Sequence, residues 1–335
     1  MNIGIIGYGY WGPNLVRNFS SLQNCKVSSI AEANVSRHEL ILKHYKDVKI
    51  YLSAEELIND NSIDAVVIAT PVFSHYPIAK LALENGKHVL IEKPMTSSSA
   101  HAKELIEIAL RKKLSLMVDH TFLYTGAVQK MKELVSSGFL GKLSYIDSTR
   151  INLGLFQPDI NVLWDLAPHD ISILNYLVDE RPISVNATGV SHTNNGIENI
   201  AYLTLNYNSG FIAHFNCSWS SPVKIRMMLI GGSEKMCIFN DIEPTEKIKV
   251  YDTSYSYKTD EEKRKILVDY RAGDIYLPKV NSTEALSLMA QDFVDSIINN
   301  TIPKSDAKIG LDVVKILEAA QKSIKNKGQE IKIEQ

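Results

Sequence analysis

The sequence predicts an α/β protein: a doubly wound parallel sheet in the N-terminal part, then an α+β domain with a large, mostly antiparallel open sheet. Two observations carry this prediction. Residues 1–121 alternate short, apolar, β-branched runs with segments of helical periodicity, which is the pattern of βαβ units. From Lys142 onward the chain changes to alternating strands separated by turn residues. Because 335 residues exceed what one small core holds, we expect two domains, at 1–121 and 122–335.

The first predicted strand, Asn2 to Ile6, runs directly into a glycine-rich turn, and Pro13 then stands where a helix accepts proline in its first turn. Strand, turn and helix in this order predict that the helix N-terminus binds the pyrophosphate of a dinucleotide. The alternative is an ordinary strand-to-helix turn that binds nothing. The turn consists of Gly7, Tyr8, Gly9, Tyr10, Trp11 and Gly12.

Glu32 ends the second predicted strand, Lys26 to Ala31, at the distance from the turn where a carboxylate bonds the ribose hydroxyls of an adenine dinucleotide. A carboxylate repels a 2′-phosphate, so this residue favours NAD over NADP. Arg37 lies close enough in sequence to weaken that preference. The alternative for Glu32 is a solvated loop glutamate.

The remaining elements of the first half continue the βαβ alternation. A capping box starts a helix at Ser53, with Glu56 three residues on. Further helices are predicted at 13–22, 36–45, 75–84 and 100–112, and further strands at 64–70, 88–91 and 114–118. Ligands of such sheets bind beyond the carboxyl ends of the strands. The residues that fall at that edge are Thr70, Pro71, His75, Glu92, Lys93 and Pro94, and we assign them to cofactor binding.

Lys93 is the reactive candidate at this edge, because Pro94 keeps it out of helical geometry at a strand end. An ammonium group there can hydrogen-bond a reacting hydroxyl and lower the cost of its deprotonation. A surface lysine in a turn is the alternative.

The second half predicts a helix at 127–136 and strands at 142–152, 183–192, 200–207, 211–218 and 225–230. Two last helices, at 284–299 and 307–325, are predicted without an assigned packing partner, and they can return to the first domain. A sheet covered by helices on one side exposes its other, apolar face, so we expect a homo-oligomer.

Asp165 and His169 are four residues apart in the segment Trp164 to Leu177, and they share a face if the segment is helical. Pro168 predicts that the helix starts close by, which puts His169 in the first turn, where the dipole disfavours its protonation. A neutral imidazole can act as a general base. The alternative is that Asp165 caps the helix and His169 is structural.

Polar and aromatic residues around this segment are candidates for binding a sugar with phosphate groups. The alternative is that they are ordinary charged side chains on exposed strands, which give the same sequence pattern. The candidates are Arg150, Asn152, Gln157, Asn161, Trp164, Lys224 and Arg226.

Composition limits the class of protein. The net charge of −2 does not suggest a positively charged surface that binds nucleic acid, and no apolar run approaches the length of a membrane span. Cys25, Cys217 and Cys237 have no CxxC spacing, which indicates reduced thiols, and with no export signal we expect a cytoplasmic protein. The histidine spacings match no metal motif, so we expect no metal.

Four segments together resemble the glucose–fructose oxidoreductase/inositol dehydrogenase (Gfo/Idh/MocA) family. They are the glycine turn, Ala69 to His75, Glu92-Lys93-Pro94, and the later WDLAPHD segment. The resemblance implies an NAD-dependent Rossmann domain, a catalytic or substrate-positioning role for Lys93, and a cis Lys93–Pro94 bond. It also implies that Asp165 and His169 assist proton removal, although Leu166-Ala167-Pro168 replaces the family's common glycine-containing spacer. It further implies assembly as a homodimer or homotetramer.

Within the family, HTFLY and the segment leading into WDLAPHD resemble proteins that act on nucleotide-linked sugars. The resemblance implies oxidation at C3 of UDP-N-acetylglucosamine or its uronate. Three alternatives remain: NAD(P)H-dependent reduction of a 3-keto-deoxysugar nucleotide, oxidation of a free sugar or inositol, and a non-catalytic dinucleotide-binding module.

Overall fold

The computed structural model describes residues 1–154, 156–193, 195–256 and 269–334. The chain forms two compact units. The first comprises Met1–Tyr124 and Thr283–Lys315, and the second comprises Thr125–Ser282 and Ile316–Gln335. The segment Thr283–Lys315 thus belongs to the first unit although it follows the second in sequence.

The first unit contains a six-stranded parallel sheet with the order β3-β2-β1-β4-β5-β6. This is the strand order of a doubly wound Rossmann sheet, which confirms the predicted fold class. Its strands are β1 (Asn2–Ile6), β2 (Lys26–Ala31), β3 (Lys49–Tyr51), β4 (Ala65–Ile68), β5 (His88–Glu92) and β6 (Leu116–Asp119).

The helices of the first unit follow the predicted alternation with shifted ends. The fourth helix begins at Val72, three residues before the predicted His75, with Pro71 at its N-cap. The third begins after Ser53, whose hydroxyl accepts the Glu56 N–H at 3.1 Å, as the capping box predicted. The helices of this unit are α1 (Gly12–Ser20), α2 (His38–His44), α3 (Ala54–Ile58), α4 (Val72–Glu84), α5 (Ser99–Lys112) and, late in the chain, α8 (Ala285–Asn299).

The second unit contains a nine-stranded sheet with the order β14-β13-β12-β11-β7-β10-β9-β8-β15. Its neighbours are antiparallel except for β7 and β10, which run parallel. The strands are β7 (Leu143–Leu153), β8 (Ser184–Val190), β9 (Ile200–Asn206), β10 (Ile212–Ser218), β11 (Ser220–Gly232), β12 (Met236–Asn240), β13 (Ile248–Ser256), β14 (Asp269–Tyr276) and β15 (Ile331–Lys332). The last four, and β3 of the first unit, are not among the strands predicted from the sequence.

The helices of the second part of the chain are α6 (Gly126–Ser136), α7 (Val162–Leu177) and α9 (Ala307–Lys325). Helix α7 packs on β7, β9 and β10. On β10, Ala213, Phe215 and Cys217 are fully buried, whereas Ile212 on the other face is 44% exposed. Within the described ranges, every helix is too short or too polar to cross a lipid bilayer.

The predicted start of α7 is wrong. The helix begins at Val162, because Asn161 caps it by accepting the Trp164 N–H at 3.1 Å. Pro168 therefore lies inside the helix rather than in its first turn. Burial of an apolar face that includes Leu163, Ala167 and Ile171 offsets the cost of the interior proline. Asp165 stays in the first turn, but His169 lies beyond it, where the helix dipole acts weakly.

Candidate active site

The three glycines of the turn differ in what surrounds them. Gly7 has a φ of +95°, and a Cβ there would lie 2.6 Å from the Ala69 carbonyl oxygen. A Cβ on Gly12 would lie 2.4 Å from the Gly7 carbonyl oxygen. A Cβ on Gly9 would meet nothing closer than Arg37 Nη1 at 3.9 Å. Close packing therefore requires glycine at the first and third positions, while the second faces open space beside the turn.

The N-terminus of α1 fits an anionic ligand. None of the side chains in the described part of the chain caps it, and its first turn contains no acidic residue. The first N–H groups of a helix carry the positive end of its dipole. Together with the open space at Gly9, this end of α1 fits the pyrophosphate of a dinucleotide.

Glu32 joins the end of β2 to the glycine turn. Its carboxylate, 7% exposed, accepts the N–H of Tyr8 at 2.8 Å and the N–H of Asn34 at 2.7 Å. Arg37 Nη1 lies 3.4 Å from the same carboxylate. Glu32 thus organises the backbone of the turn, and it has a cation beside it.

His75 links the ends of β4 and β5. Its Nδ1 lies 2.9 Å from the Pro94 carbonyl oxygen, and its Nε2 lies 2.7 Å from the Thr70 carbonyl oxygen. Burial lowers the pKa of His75, although both carbonyl contacts favour the charged form. The Lys93–Pro94 peptide bond is cis, which confirms the expectation from the resemblance.

A buried polar cluster lies at the ends of β5 and β6. Glu92 and Asp119 are register partners there. Trp11 Nε1–H donates to Asp119 at 3.3 Å, so the cluster is connected to the glycine turn. His120 follows, fully buried, and burial lowers its pKa to about 3, with a smaller contribution from the charge of Lys93.

In the second unit, α7 carries the predicted Asp165 and His169 one turn apart. Trp219, 1% exposed and directly after β10, donates its Nε1–H to Asp165 Oδ2 at 3.0 Å. Asp165 is therefore held by an indole donor from the sheet. The helix and the sheet together fix the position of this carboxylate.

Arg150 and Asp170 form a buried ion pair beneath α7. Arg150 Nε and Nη2 donate to the two carboxylate oxygens of Asp170 at 2.9 and 2.6 Å, and both side chains are at most 5% exposed. Arg226, opposite Arg150 on the neighbouring strand, contacts Asp241 at 3.3 Å and is more exposed.

The other predicted sugar-binding residues divide into two groups. Asn161 is 6% exposed, and its amide nitrogen donates to Glu198 at 3.0 Å and to Gln321 at 2.6 Å. These contacts favour a structural role for Asn161, as the contacts of Asp170 do for Arg150. The residues that keep accessible surface are Asn152, Gln157, Trp164, Lys224 and Arg226.

Asp119, His120, Asp170 and Trp219 are not among the site residues predicted from the sequence. One signal was available for Asp119, since it ends a predicted strand at the same sheet edge as Glu92. Trp219 had none, because its partner lies 54 residues away in sequence. Among the described residues, no three His, Cys, Asp or Glu side chains are grouped so that they could hold a metal ion.

The sheet order and the glycine turn define a dinucleotide-binding domain of the Rossmann type. Residues 1–120 match the model described as an oxidoreductase family with an NAD-binding Rossmann fold, and residues 128–236 match the Gfo/Idh/MocA C-terminal domain. The chain belongs to the Gfo/Idh/MocA family of oxidoreductases and binds a nicotinamide dinucleotide.

Three curated relatives show the range of this similarity. The chain is 31% identical over 185 residues to the uncharacterized oxidoreductase YdgJ of Escherichia coli, covering 50% of this chain and 51% of that protein. It thus spans about half the length of YdgJ. It is 29% identical over 222 residues to UDP-N-acetylglucosamine 3-dehydrogenase of Acidithiobacillus ferrooxidans, covering 65% and 67%. It is 25% identical over 346 residues to scyllo-inositol 2-dehydrogenase (NADP(+)) IolW of Bacillus subtilis, covering 98% and 94%.

Solved structures share the fold along the whole chain. UDP-N-acetylglucosamine 3-dehydrogenase GnnA from Acidithiobacillus ferrooxidans superposes with a TM-score of 0.78 at 23% identity, covering 97% of this chain and 98% of that one. Aldose–aldose oxidoreductase from Caulobacter crescentus superposes with a TM-score of 0.83 at 17% identity, covering 99% of both chains. At these identities the likeness concerns the fold alone.

Proposed function

We propose that the protein is an NAD-dependent dehydrogenase that oxidises a secondary hydroxyl, at C3, of a nucleotide-linked sugar such as UDP-N-acetylglucosamine or its uronate. The observation that carries this proposal is the Asp165–His169 pair, one helical turn apart on α7, with Asp165 fixed by Trp219. The relative from Acidithiobacillus ferrooxidans supports the substrate class.

His169 takes the proton of the reacting hydroxyl, and Asp165 orients the imidazole and stabilises the positive charge that it acquires. Lys93 polarises the hydroxyl oxygen and stabilises the negative charge that develops there. A bound nicotinamide supplies the hydride acceptor. The carbinol thus loses one proton and one hydride, and its C–O single bond becomes a carbonyl.

Glu32 and Arg37 bear on the choice between NAD and NADP. The Glu32 carboxylate disfavours a 2′-phosphate, and this supports NAD. Arg37, about half exposed beside Glu32, offers a guanidinium that can pair with a phosphate. The similarity to an NADP(+) enzyme, IolW, makes a comparison of both cofactors necessary. The turn Gly7–Gly12 binds the pyrophosphate in either case.

The accessible polar residues of the second unit supply the sugar and phosphate contacts in this proposal. Lys224 and Arg226 are two residues apart on β11, and a pair of cations suits the two charges of a diphosphate. Asn152, Gln157 and Trp164 supply amide hydrogen bonds and an aromatic surface for the sugar.

A second candidate is the oxidation of a free inositol or sugar. The similarity to scyllo-inositol 2-dehydrogenase, which extends over 98% of this chain, favours it. This candidate predicts that a nucleoside diphosphate adds no affinity. The reverse reaction, reduction of a 3-keto-deoxysugar nucleotide, uses the same residues with the proton and hydride moving the other way.

We also propose that a second copy of this chain covers the outer face of the nine-stranded sheet. Ile212 and Tyr202 on that face are 44% and 45% exposed, and the Tyr202 ring stacks on His214. Light scattering coupled to size-exclusion chromatography tests this. A monomer of 37.5 kDa at micromolar concentration would contradict it.

The experiment that tests the activity is to measure absorbance in the reduced-nicotinamide band after mixing the protein with NAD or NADP and a panel of UDP-sugars and free inositols. A carbonyl trap is included, because oxidation of an alcohol can stop at equilibrium. A signal with UDP-N-acetylglucosamine or its uronate supports the proposal. A signal with inositols alone favours the second candidate. If no alcohol gives a signal, the reduction of ketones is measured next.

A further inference from the structure

Two carboxyl groups stand side by side at the carboxyl edge of the parallel sheet. Glu92 ends β5 and Asp119 ends β6, and the two residues are register partners in neighbouring parallel strands. Register partners lie about 5 Å apart and their side chains leave the sheet on the same side. Asp119 is only 2% exposed, so water screens little of the interaction between the two groups.

The hydrogen bonds at these carboxyls leave one oxygen without a donor. Asp119 accepts the Nε1–H of Trp11 at 3.3 Å and the hydroxyl of Thr121. Glu92 Oε2 accepts the Lys93 N–H at 3.0 Å. Glu92 Oε1 is buried and accepts no hydrogen bond from the described residues. Two ionised carboxylates in this arrangement would repel each other and leave a buried charged oxygen unsatisfied.

We propose that Glu92 and Asp119 hold one proton between them at neutral pH, so that the pair carries a single negative charge next to Lys93. A proton on Glu92 Oε1 turns the orphaned acceptor into a donor toward Asp119. It also removes the repulsion between like charges, as in other carboxyl pairs that share a site.

The charged groups that face the pair are consistent with a single negative charge on Glu92 and Asp119 together. Burial, and then the charge of Asp119, raise the pKa of Glu92 far above its usual range, and the nearby Lys93 ammonium only partly opposes this. His120 adds no charge, because burial lowers its pKa to about 3. Burial also lowers the pKa of His75, which contacts the Pro94 carbonyl. One shared negative charge therefore balances one ammonium.

A single negative charge on the pair suits the chemistry proposed for Lys93, and to that extent the inference rests on the proposed function. A second negative charge near the lysine would oppose the negative charge that develops on the reacting hydroxyl oxygen. A pair without charge would take away the negative charge that stands next to the ammonium and stabilises its charged form. Glu92 and Asp119 act through Lys93 and are positioning residues.

Infrared difference spectroscopy on the protein without substrate tests the shared proton directly. Subtracting the spectrum of Glu92→Gln from that of the unmodified protein in D2O at neutral pD should reveal the C=O stretching band of a protonated carboxyl. Glu104→Gln is the matched control, because the Glu104 side chain is 41% exposed, contacts Lys80 and Tyr76, and has a lowered pKa. Besides the amide band of the new glutamine, its difference spectrum should contain carboxylate bands and no band of a protonated carboxyl. The same result for Glu92→Gln, without a protonated-carboxyl band, would overturn the proposal.

A second variant keeps the test valid if Glu92→Gln does not fold. In Asp119→Asn, Glu92 loses its like-charged neighbour, so the titration of its C=O band should move to lower pH than in the unmodified protein. A titration that does not move would show that the two groups do not share a proton.

Kinetics then separate the charge effect from a structural one. In Glu92→Gln the pair keeps the single charge of Asp119, so the basic limb of the pH profile of kcat/KM should keep its midpoint, whatever happens to the maximal rate. In Glu92→Gln/Asp119→Asn the charge is lost, and that midpoint should fall by about 1 pH unit. Equal displacement in both variants would contradict the proposal. If the protein oxidises no sugar, the infrared spectra still show whether Glu92 and Asp119 share a proton. A failure of this inference can therefore be distinguished from a failure of the proposed function.

Discussion

Arg150 and Asp170 make a two-point ion pair inside the second unit, and Asp170 is the residue directly after His169. The pair ties α7 to the middle of the sheet, because Arg150 lies on β7, between β11 and β10. The same pair therefore anchors the helix that carries Asp165 and His169. Arg150 also lies opposite Cys217 on β10, and burial of that thiol raises its pKa.

Removing one partner of this pair should destabilise the protein strongly. In Arg150→Met the Asp170 carboxylate stays buried without its cation, which costs about 3–5 kcal/mol in the free energy of unfolding. Arg226→Met is the matched control, since Arg226 is 37% exposed and its pair with Asp241 is worth about 1 kcal/mol or less. Urea denaturation of both variants measures the difference. Equal losses would contradict a structural role for the buried pair.

Gly9→Ala and Gly12→Ala should separate cofactor binding from folding. A methyl group on Gly9 meets nothing within 3.9 Å, so we expect an unchanged melting temperature. In the proposed binding mode the same methyl occupies the space where the pyrophosphate approaches, so dinucleotide affinity should fall by about tenfold or more, equivalent to about 1.4 kcal/mol. A methyl group on Gly12 would lie 2.4 Å from backbone, so that variant should lose about 1–3 kcal/mol of stability.

Titration calorimetry with NAD and thermal melting of the two glycine variants give the readouts. An unchanged affinity in Gly9→Ala would contradict pyrophosphate binding at the turn. An unchanged melting temperature in Gly12→Ala would show that the turn opens to accommodate the methyl group.

The sequence predicted those parts of the site that are local in the chain. The glycine turn, Lys93 next to Pro94, and the i, i+4 spacing of Asp165 and His169 are all visible in a few consecutive residues. The contact of Trp219 with Asp165 depends instead on how β10 packs on α7, which no local pattern encodes. Pairing of Glu92 with Asp119 depends on strand register in the same way.

The position of Arg150 in the strand pattern of β7 already indicates a buried side chain. Along β7 the buried positions alternate and include Ile146, Ser148 and Arg150, so the arginine falls in the buried phase of the strand. An arginine in that phase needs a buried carboxylate, and Asp170 supplies it. The strand pattern thus favours an ion pair for Arg150 over contact with a sugar.

His120 should make the protein less stable in mild acid. Burial lowers the pKa of the folded state to about 3, whereas the usual value is 6.5. The unfolded chain therefore binds a proton that the folded chain does not. The stability that neutral His120 contributes is complete above pH 6.5 and is lost as the pH falls toward 3, by up to about 1.4 kcal/mol per pH unit.

His120→Leu isolates this effect, because neither ring nitrogen has a hydrogen-bond partner among the described residues. The free energy of unfolding should fall less steeply between pH 7 and pH 5 in this variant than in the unmodified protein. Urea denaturation at the two pH values measures the slope. Parallel slopes would mean that His120 does not titrate in this way.

Trp219→Phe should reduce the rate of oxidation without a matching loss of substrate affinity. The substitution removes the Nε1–H that donates to Asp165 Oδ2 at 3.0 Å, and a hydrogen bond to a charged group is worth about 1.5–3 kcal/mol. If Asp165 orients His169, kcat should fall by about tenfold or more while KM changes little. Steady-state kinetics on the substrate identified by the absorbance assay measure both constants.

A double-mutant cycle shows whether the tryptophan acts through the carboxylate. In Asp165→Asn the indole N–H no longer has a charged acceptor to orient, so adding Trp219→Phe should cost little further rate. If instead the two losses multiply, Trp219 influences the reaction by a route other than Asp165, such as its packing against Phe156 at 5.6 Å between ring centres. Non-additivity therefore assigns the tryptophan to the position of Asp165, and additivity assigns it to the packing of the loop before α7.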